Sequence, residues 1–483
     1  MKRLKAWGVF PVVVCLLVGG LVLPGKASAL SLEEEAKLGK EFVADIRKQF
    51  EIVEDPYARD YINELGHYAA EAVGTSRFPF HFYLIDRNEL NAFAGPGGHI
   101  FFFTGLIEAV DSVDEVAAIT CHEIAHITAR HLARRIDQYT KLNIATLAGM
   151  LAGILIGGEV GQAVATGSMA AGAQAQLAFS RTDERQADQL GFSYMRESGF
   201  DPSAMVRVLN RFQASEVYGT DRVPAYLRTH PMGPERMANI DSLLESGGRP
   251  LPTEKSESLR RRFPLFQALL KARYGDPDAA ERAFRRTLEE DPEDPIAHFG
   301  LGLREKEDAN YPAAEAHLRR AVALRPDLVP IRVHLGETYQ LQGRYQDAIR
   351  VLEEAPEEDA SNPKILFLLA TSFQSLEQYD RAIRIFERLR AREPVEDEVF
   401  YNLGLCYGRL NRLALAHYHF GLYFKRTQKP SKARFHFERA RELGQHDPAL
   451  LQKIQEELEP SSREKQKRSQ NGAILLASPK PAY

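Results

Sequence analysis

The carboxyl-terminal half of the chain repeats with a constant step of 34 residues, and this period restricts the fold more than any other feature. Small residues recur in two registers, one at Ala268, Gly302, Gly336, Ala370 and Gly404, and the other at Ala280, Ala314, Ala348, Ala382 and Ala416. A large apolar residue follows the second register by one helical turn, at Phe284, Leu318, Leu352, Phe386 and Phe420. This pattern predicts pairs of helices that stack into a superhelix. A generic helical bundle does not explain a constant period.

The boundaries of the repeat region follow from composition. Residues 246–262 are rich in Ser, Gly, Pro and charge, which is typical of a linker, so the repeats are predicted over 263–458. A half-shifted unit ends them, with Gly421, Ala433, Phe437 and Ala440. Residues 459–483 are charged and contain Ser and Pro, and they predict a disordered tail.

The amino-terminal half contains one pattern with an explicit chemical use, His122-Glu123-x-x-His126. It continues an apolar-periodic run without Gly or Pro, so it predicts the inside of a helix. Positions i and i+4 share a helix face, so His122 and His126 can bind one metal ion. Glu123 lies about 100° round the helix and can act as a general base without being a ligand. A zinc hydrolase needs these elements.

A second helical pattern supplies Glu184 and Asp188, again four residues apart. One carboxylate can bind the metal while the other orients a ligand imidazole from behind. An acidic pair alone is common on solvated helix faces. After a His-Glu-x-x-His helix, the pair becomes the natural source of a third protein ligand.

Three further polar residues have less certain uses. His131 follows His126 by five residues, about 140° away on a continued helix, so we expect it to be a structural residue or an orienting partner rather than a ligand. His230 lies in a short loop before a helix that contains Arg236, which we expect, like Asp188, to support the metal ligands from behind. His230 can approach the open metal position or bind an oxyanion, and an exposed histidine without a role is an equal alternative.

The segments around these motifs predict an α+β domain. Residues 30–65 have a helical pattern, 80–85 and 99–104 read as strands, and 91–98 form a turn-rich loop. The strand 99–104 can serve as an edge on which an extended peptide pairs through its backbone, or can be ordinary sheet core. Residues 142–179 are apolar and rich in Gly and Ala near their start, which predicts a buried or membrane-surface hairpin rather than a span.

Composition and the amino terminus limit the function classes. The 483 residues include 44% hydrophobic and 27% charged residues with a net charge of −4, which disfavours nucleic-acid binding. Residues 1–29 have a basic start, an apolar run and a small-x-small end, as in a cleavable secretory signal peptide. Cys121 and Cys406 remain afterwards, in separate predicted domains, so no disulfide is predicted.

The chain resembles a known family, the BepA-like β-barrel assembly-enhancing proteases, which belong with the HtpX and CAAX prenyl protease metallopeptidases. The resemblance covers nearly the whole mature chain and rests on segments 91–99, 122–131, 180–188 and 229–236, followed by the repeats, which resemble tetratricopeptide repeats. It implies a zincin-type (gluzincin) metallopeptidase domain over 30–245. It also implies that His122, His126 and Glu184 bind one zinc ion and that Glu123 is the general base. Asp188 would lie behind a ligand, and His230 would lie near the metal as a regulatory fourth ligand. The length and placement of the Gly- and Ala-rich 142–179 insert depart from the family's pattern.

Two functional hypotheses follow. The first is a periplasmic zinc metalloendopeptidase that cuts misfolded or stalled outer-membrane proteins, with repeats that recruit substrates or assembly machinery and with peripheral membrane contact through 142–179. The periplasmic location and the quality-control role are implied by the resemblance alone. The second is a chaperone-like repeat scaffold whose metal site is latched or structural. An integral-membrane prenyl-protein protease is excluded, because the chain lacks multiple long apolar spans.

Overall fold

The computed structural model describes residues 30–136, 144–156, 179–218, 225–247, 250–392 and 394–459. Its first described elements are two helices. Helix α1 is Leu32–Gln49 and helix α2 is Pro56–Glu71. The helical pattern predicted over 30–65 is thus divided between two helices. Asp55 caps α2 through the amide of Ala58, and Pro56 occupies the first turn, where its missing N–H costs nothing.

A three-stranded sheet follows, with strands β1 (His81–Ile85), β2 (Ala92–Ala94) and β3 (His99–Phe103) in the order β1-β3-β2. Strand β3 pairs in parallel with β1 and antiparallel with β2. The strand predicted over 99–104 is therefore the central strand, and the hypothesis that it offers a free edge to a peptide is wrong. Residues 92–94, predicted as loop, form the edge strand instead.

Two crossing helices carry the residues of interest. After α3 (Thr104–Ala109) come α4 (Val113–Thr128) and α5 (His131–Ile136), and α4 is buried from Val113 to Ile127. Helix α7 (Arg181–Glu197) packs directly on α4. A Cβ atom at Gly191 would lie 3.3 Å from the backbone of His122, so a glycine there lets the two helices approach closely.

Helix α6 (Ile144–Ile156) is the described part of the apolar segment 142–179. It packs on α1 and buries Leu147, Ala148, Leu151 and Ala152. Apart from Phe179, the other residues of the predicted hairpin lie outside the described ranges, as do the predicted signal peptide over 1–29 and residues 460–483 of the predicted tail. In the described ranges, every helix is too short or too polar to cross a bilayer.

The passage between the two halves is helical. Helices α8 (Ala204–Tyr218), α9 (Ala225–Thr229) and α10 (Pro234–Gly247) are followed by α11 (Glu254–Tyr274). The linker predicted over 246–262 is thus part of a helix from Glu254 onward. Helix α11 packs on α2, α3 and α4 with one part and on the repeats with another.

The repeats form antiparallel helix pairs, as their spacing predicts. Their helices are α12 (Pro277–Glu290), α13 (Pro295–Glu307), α14 (Tyr311–Leu324), α15 (Val329–Leu341), α16 (Tyr345–Glu353), α17 (Pro363–Ser375), α18 (Tyr379–Arg390), α19 (Asp397–Arg409), α20 (Leu413–Arg426), α21 (Pro430–Leu443) and α22 (Pro448–Leu458). A Cβ atom at Gly302 would come within 2.6 Å of Leu318, and one at Gly404 within 2.7 Å of Phe420. The small and large positions therefore meet where the two helices of a pair cross. An α+β domain followed by an all-α solenoid is confirmed.

Both described cysteines, Cys121 and Cys406, are free and buried. Burial raises the pKa of the Cys121 thiol, and it raises the pKa of the Cys406 thiol to about 12. The two side chains therefore act as small apolar groups in the cores of α4 and α19.

Candidate metal centre

Helix α4 presents His122 and His126 on one face, as their spacing predicts. Their Nε2 atoms lie 3.0 Å apart, and the exposed fractions of the two residues are only 2% and 1%. Two buried imidazoles that point at each other need a shared partner, which a metal ion provides.

Helix α7 brings Glu184 to the same point. One carboxylate oxygen lies 3.5 Å from Nε2 of His122, and the other lies 3.5 Å from Nε2 of His126. Burial by itself would raise the pKa of Glu184, but Arg236 and His230 hold it well below its usual range. The residue is therefore an ionised carboxylate facing two imidazoles.

His230 completes the cluster from the loop after α9. Its backbone amide donates to the carbonyl of Tyr226, and the ring of Tyr226 stacks on the imidazole at 4.4 Å. Nδ1 of His230 lies 3.1 Å from Oε1 of Glu184 and 3.4 Å from Nε2 of His122. The loop histidine is thus fully buried at the centre and is not an exposed bystander.

The four donor groups suit a zinc ion. One donor atom from each of His122, His126, Glu184 and His230 lies within 4.8 Å of the others, and neighbouring donors are 3.0–3.5 Å apart. Ligands about 2.0–2.1 Å from a tetrahedral zinc ion are separated by roughly 3.3 Å. Three imidazole nitrogens and one carboxylate are also a chemically appropriate set for this ion.

Glu123 lies beside these donors without being one of them. Its side chain is fully buried, and Oε1 lies 3.5 Å from Nε2 of His230. Neither carboxylate oxygen has a hydrogen-bond partner among the described residues. A buried carboxylate normally has partners, so one without them is expected where a substrate or water will bind.

Asp188 orients His122 from behind. Nδ1 of His122 donates to Oδ1 of Asp188 at 3.0 Å, which directs Nε2 toward the cluster. Burial would lower the pKa of His122, but its hydrogen bonds with Asp188 and Glu184 raise it to about 9. Arg236 contacts both carboxylates, with Nη1 lying 2.8 Å from Oε2 of Glu184. Asp188 and Arg236 therefore both contact side chains of the donor cluster.

Two orienting contacts were not fully foreseen from the sequence. Nδ1 of His131 lies 3.0 Å from Nδ1 of His126, and Nε2 of His131 lies 3.0 Å from Oε1 of Gln186. His131 is thus outside the donor cluster, as expected, and orients His126 as Asp188 orients His122. The ring of Phe179 packs 4.0 Å from that of His126. Nothing in the spacing pointed to Gln186 or Phe179.

Comparison with known families agrees with this geometry. Residues 56–244 match the model of Peptidase family M48, and residues 266–328, 307–371 and 367–420 match tetratricopeptide-repeat models. These matches contain the metal centre and the repeat solenoid, respectively.

Three relatives illustrate the similarity. The beta-barrel assembly-enhancing protease of Escherichia coli strain K12 is 29% identical over 376 residues, which cover 75% of this chain and 74% of that protein. The protein of the same name from Yersinia pestis is 27% identical over 370 residues, again covering 75% and 74%. The mitochondrial metalloendopeptidase OMA1 of Schizosaccharomyces pombe is 28% identical over 195 residues, 40% of this chain and 55% of that one.

The shared segment with the metalloendopeptidase is shorter than the shared segment with the two assembly-enhancing proteases. The two longer matches require similarity beyond the peptidase domain, because residues 56–244 alone are too few to account for them. The chain therefore has an M48 peptidase domain followed by tetratricopeptide repeats, and over three quarters of its length it is similar to the beta-barrel assembly-enhancing proteases.

Proposed function

We propose that this chain is a periplasmic zinc endopeptidase that degrades misfolded or stalled outer-membrane proteins. The observation that carries the proposal is the unpartnered carboxylate of Glu123 beside four converging donor groups. Support for the substrate class comes from the names of the relatives, and support for the compartment comes from the signal-like residues 1–29.

The residues divide the catalytic work. His122, His126 and Glu184 would hold one zinc ion, which supplies Lewis-acid polarisation of the scissile carbonyl when bound. Glu123 takes a proton from the attacking water and returns it to the leaving amine. Asp188 and His131 keep the two ligand rings in position, so the donor set is preorganised before substrate arrives.

His230 decides whether this site works. The exposed fractions of His122, Glu123, His126, Glu184 and His230 are all 2% or less, so a peptide cannot reach Glu123 in this arrangement. The imidazole of His230 occupies the place that a substrate carbonyl needs. We propose that His230 is a latch that leaves this place when the enzyme acts. The alternative is that His230 has a catalytic role and binds the oxyanion.

The same closure favours a second function. If His230 remains a fourth ligand, the metal is structural and the chain is a chaperone-like scaffold that acts through its repeats. The observation behind this alternative is the complete burial of the centre, rather than any feature of the repeats.

A peptide would bind along the outer edge of β2 once this edge is uncovered, because Ala92, Phe93 and Ala94 are buried in the closed arrangement. The amide of Gly95 donates to His99 and that of Phe103 donates to Asn91, so these positions pair inward and Ala92 and Ala94 direct their backbone groups outward. No described residue pairs with this outer edge. Because α4 packs against β2, a strand added here would pass near Glu123, with modest selection among side chains.

The repeats would recruit the substrate or the assembly machinery. A cavity of about 1150 Å³ lies between residues 51–60 of the peptidase domain and the first turns of α15, α17 and α19. Its size and mixed apolar and charged walls suit an extended polypeptide. Peripheral membrane contact through 142–179 is a further proposal. The face of α6 that contains Leu147 and Leu151 packs on α1, so it would not take part in this contact.

The first experiment measures degradation of an unfolded model protein by the mature chain, by its Glu123→Gln variant and by a chelator-treated sample, with bound zinc quantified in each. Glu245→Gln, at an exposed carboxylate on α10, is the control. Activity that is lost in Glu123→Gln with its zinc retained, lost in the chelator-treated sample and kept in Glu245→Gln supports the peptidase. Equal activity in Glu123→Gln and the wild type would rule it out.

The second experiment replaces His230 with Ala and follows the same degradation, with His446→Ala as the control at an exposed histidine. Faster degradation supports a latch, and slower degradation with zinc retained supports oxyanion binding. An unchanged rate would exclude both roles. Bound zinc without cleavage by any form favours the scaffold.

A further inference from the structure

Two histidines of the first repeat units meet away from the metal centre. His298 lies on α13 and His317 on α14, and their Nδ1 atoms are 3.0 Å apart. Both side chains are partly exposed, and their ring centroids are 5.2 Å apart. Two imidazoles on adjacent helices thus aim the same ring atom at one point.

The hydrogen bond on the far side of His298 sets its tautomer. Nε2 of His298 lies 3.1 Å from the backbone carbonyl oxygen of Pro292. A carbonyl only accepts, so Nε2 carries the proton and the neutral ring has its lone pair on Nδ1. Metal-binding histidines use the same arrangement, with one nitrogen held by a backbone carbonyl and the other free to bind.

A second pair repeats this geometry. Nδ1 of His417, on α20, lies 3.0 Å from Nδ1 of His436, on α21. The first histidine of each pair lies four residues before the glycine at the helix crossing, His298 before Gly302 and His417 before Gly421. The second histidine lies one residue before the large side chain that this glycine contacts, which is Leu318 in the first pair and Phe437 in the second. The two pairs therefore occupy equivalent places in two units of the solenoid.

Burial favours the neutral rings that a metal requires. Burial, together with His298, lowers the pKa of His317, and burial with Arg439 lowers that of His417. Burial and His417 lower the pKa of His436. These rings are therefore largely unprotonated near neutral pH and can donate lone pairs.

We propose that each histidine pair binds one divalent late transition-metal ion through its two Nδ1 atoms, with Cu²⁺ bound most tightly. Two nitrogens at right angles, about 2.0–2.1 Å from a metal, are roughly 2.9 Å apart, close to the observed separation. The general order of affinities for nitrogen donors favours Cu²⁺ over zinc at such a pair.

The bound ion would clamp the two helices of a unit together. One ligand comes from each helix, so binding requires the crossing at Gly302 or Gly421 to be formed. An ion that binds only the folded chain shifts the unfolding equilibrium toward the folded state. These sites share no residue with the cluster of His122, His126, Glu184 and His230, and they do not depend on the proposed peptidase activity.

Copper titration of the zinc-loaded mature chain tests the proposal. The readouts are bound copper per chain, bound zinc, and the electron paramagnetic resonance spectrum, in which imidazole nitrogens split the copper lines. We expect two copper ions per chain with zinc unchanged. His317→Gln and His436→Gln should each lose one ion, and the double variant should lose both.

Two controls separate copper binding at the pairs from other causes. His446→Gln, at an exposed histidine after α21, should keep both ions. His298→Gln, which removes the other ring of the first pair, should lose the same single ion as His317→Gln, so that a folding defect in one variant does not decide the result. Copper uptake equal in the wild type and the double variant would overturn the proposal. The pair would then be an N–H···N hydrogen bond.

Discussion

Arg236 and Asp188 form a buried bidentate ion pair beside the metal centre. Nε of the arginine donates to Oδ2 of the aspartate at 2.8 Å, and Nη2 donates to Oδ1 at 2.9 Å. Parallel bonds of this kind fix the plane of the carboxylate as well as its charge. The same Oδ1 accepts from His122, so the orientation of a metal ligand depends on a residue more than one hundred positions away.

The substitution Asp188→Asn should weaken zinc binding by about 10–100-fold. The amide keeps the shape but loses the charge that matches Arg236 and one acceptor position for His122. Competition with a chelator of known affinity measures the change. Asp241→Asn, at an exposed aspartate on α10, should bind zinc like the wild type. Equal affinity in Asp188→Asn and the control would show that His122 does not need this partner.

Truncation should locate the true end of the peptidase domain in helix α11. A cut after residue 262 divides the helix and removes Phe266, whose ring stacks on Tyr61 at 4.3 Å. It also removes Gln267, which donates to the carbonyls of Ile107 and Val110. Losing a buried phenylalanine alone costs about 3–5 kcal/mol.

A chain of residues 30–275 should therefore unfold at a higher temperature than a chain of residues 30–262, and it should keep any proteolysis that the whole protein has. Thermal unfolding by circular dichroism and degradation of an unfolded protein provide the two measurements. Similar melting of both fragments would mean that α11 belongs to the repeats alone. Unchanged capture of partners by the longer fragment would count against recruitment by the repeats.

The turns inside the repeats contain a correctable strain. The left-handed conformation recurs every 34 residues, with φ of 58° at Ala309, 73° at Gly343, 58° at Glu377 and 57° at Asn411. Alanine adopts this region at a cost of about 1–2 kcal/mol, part of which glycine recovers. Ala309→Gly should therefore raise the free energy of unfolding by about 0.5–1 kcal/mol.

The reverse substitution is the matched control. A Cβ atom at Gly343 would meet nothing within 4 Å, so Gly343→Ala tests backbone conformation without a clash. It should lower stability by about 1 kcal/mol. Denaturant midpoints measure both changes, and a shift of the same sign in the two variants would contradict the strain argument.

Acid should destabilise the repeats through His419, whose side chain is 3% exposed. Burial, with Arg390 and Lys453, lowers its pKa to about 3, although a carboxylate oxygen of Glu387 lies 3.7 Å away. The unfolded chain binds this proton below its ordinary pKa of about 6.5, whereas the folded chain does not. Stability from this group is therefore complete above about pH 6.5 and is lost as the pH falls toward 3.

Between pH 7 and pH 5 the loss should be on the order of 2 kcal/mol. His419→Phe keeps an aromatic ring against Tyr407 and should remove this part of the pH dependence. Denaturant unfolding of wild type and variant at both pH values measures it, since all other titrating groups contribute equally to the two proteins. An equal pH dependence of stability in the two proteins would show that His419 binds its proton as readily in the folded chain as in the unfolded chain.

Local spacing is what made much of the protein predictable. The i, i+4 relation brings His122 to His126 on one helix, and the constant period pairs Gly302 with Leu318. Both relations depend on the geometry of one or two adjacent helices, which a sequence expresses directly. The same reasoning placed Glu184 and Asp188 on one face of α7.

Relations between distant segments were decided only by the tertiary structure. The sequence could not choose between an exposed and a buried His230, because its position depends on how the loop after α9 packs against α4 and α7. It misplaced β3 as an edge, because the partners of a strand lie on other segments. It read residues 254–262 as linker, because polar composition does not reveal which side of α11 is buried. The sequence alone thus determined the residue pairs on α4 and α7 and the period of the solenoid, while long-range packing decided that the centre is closed.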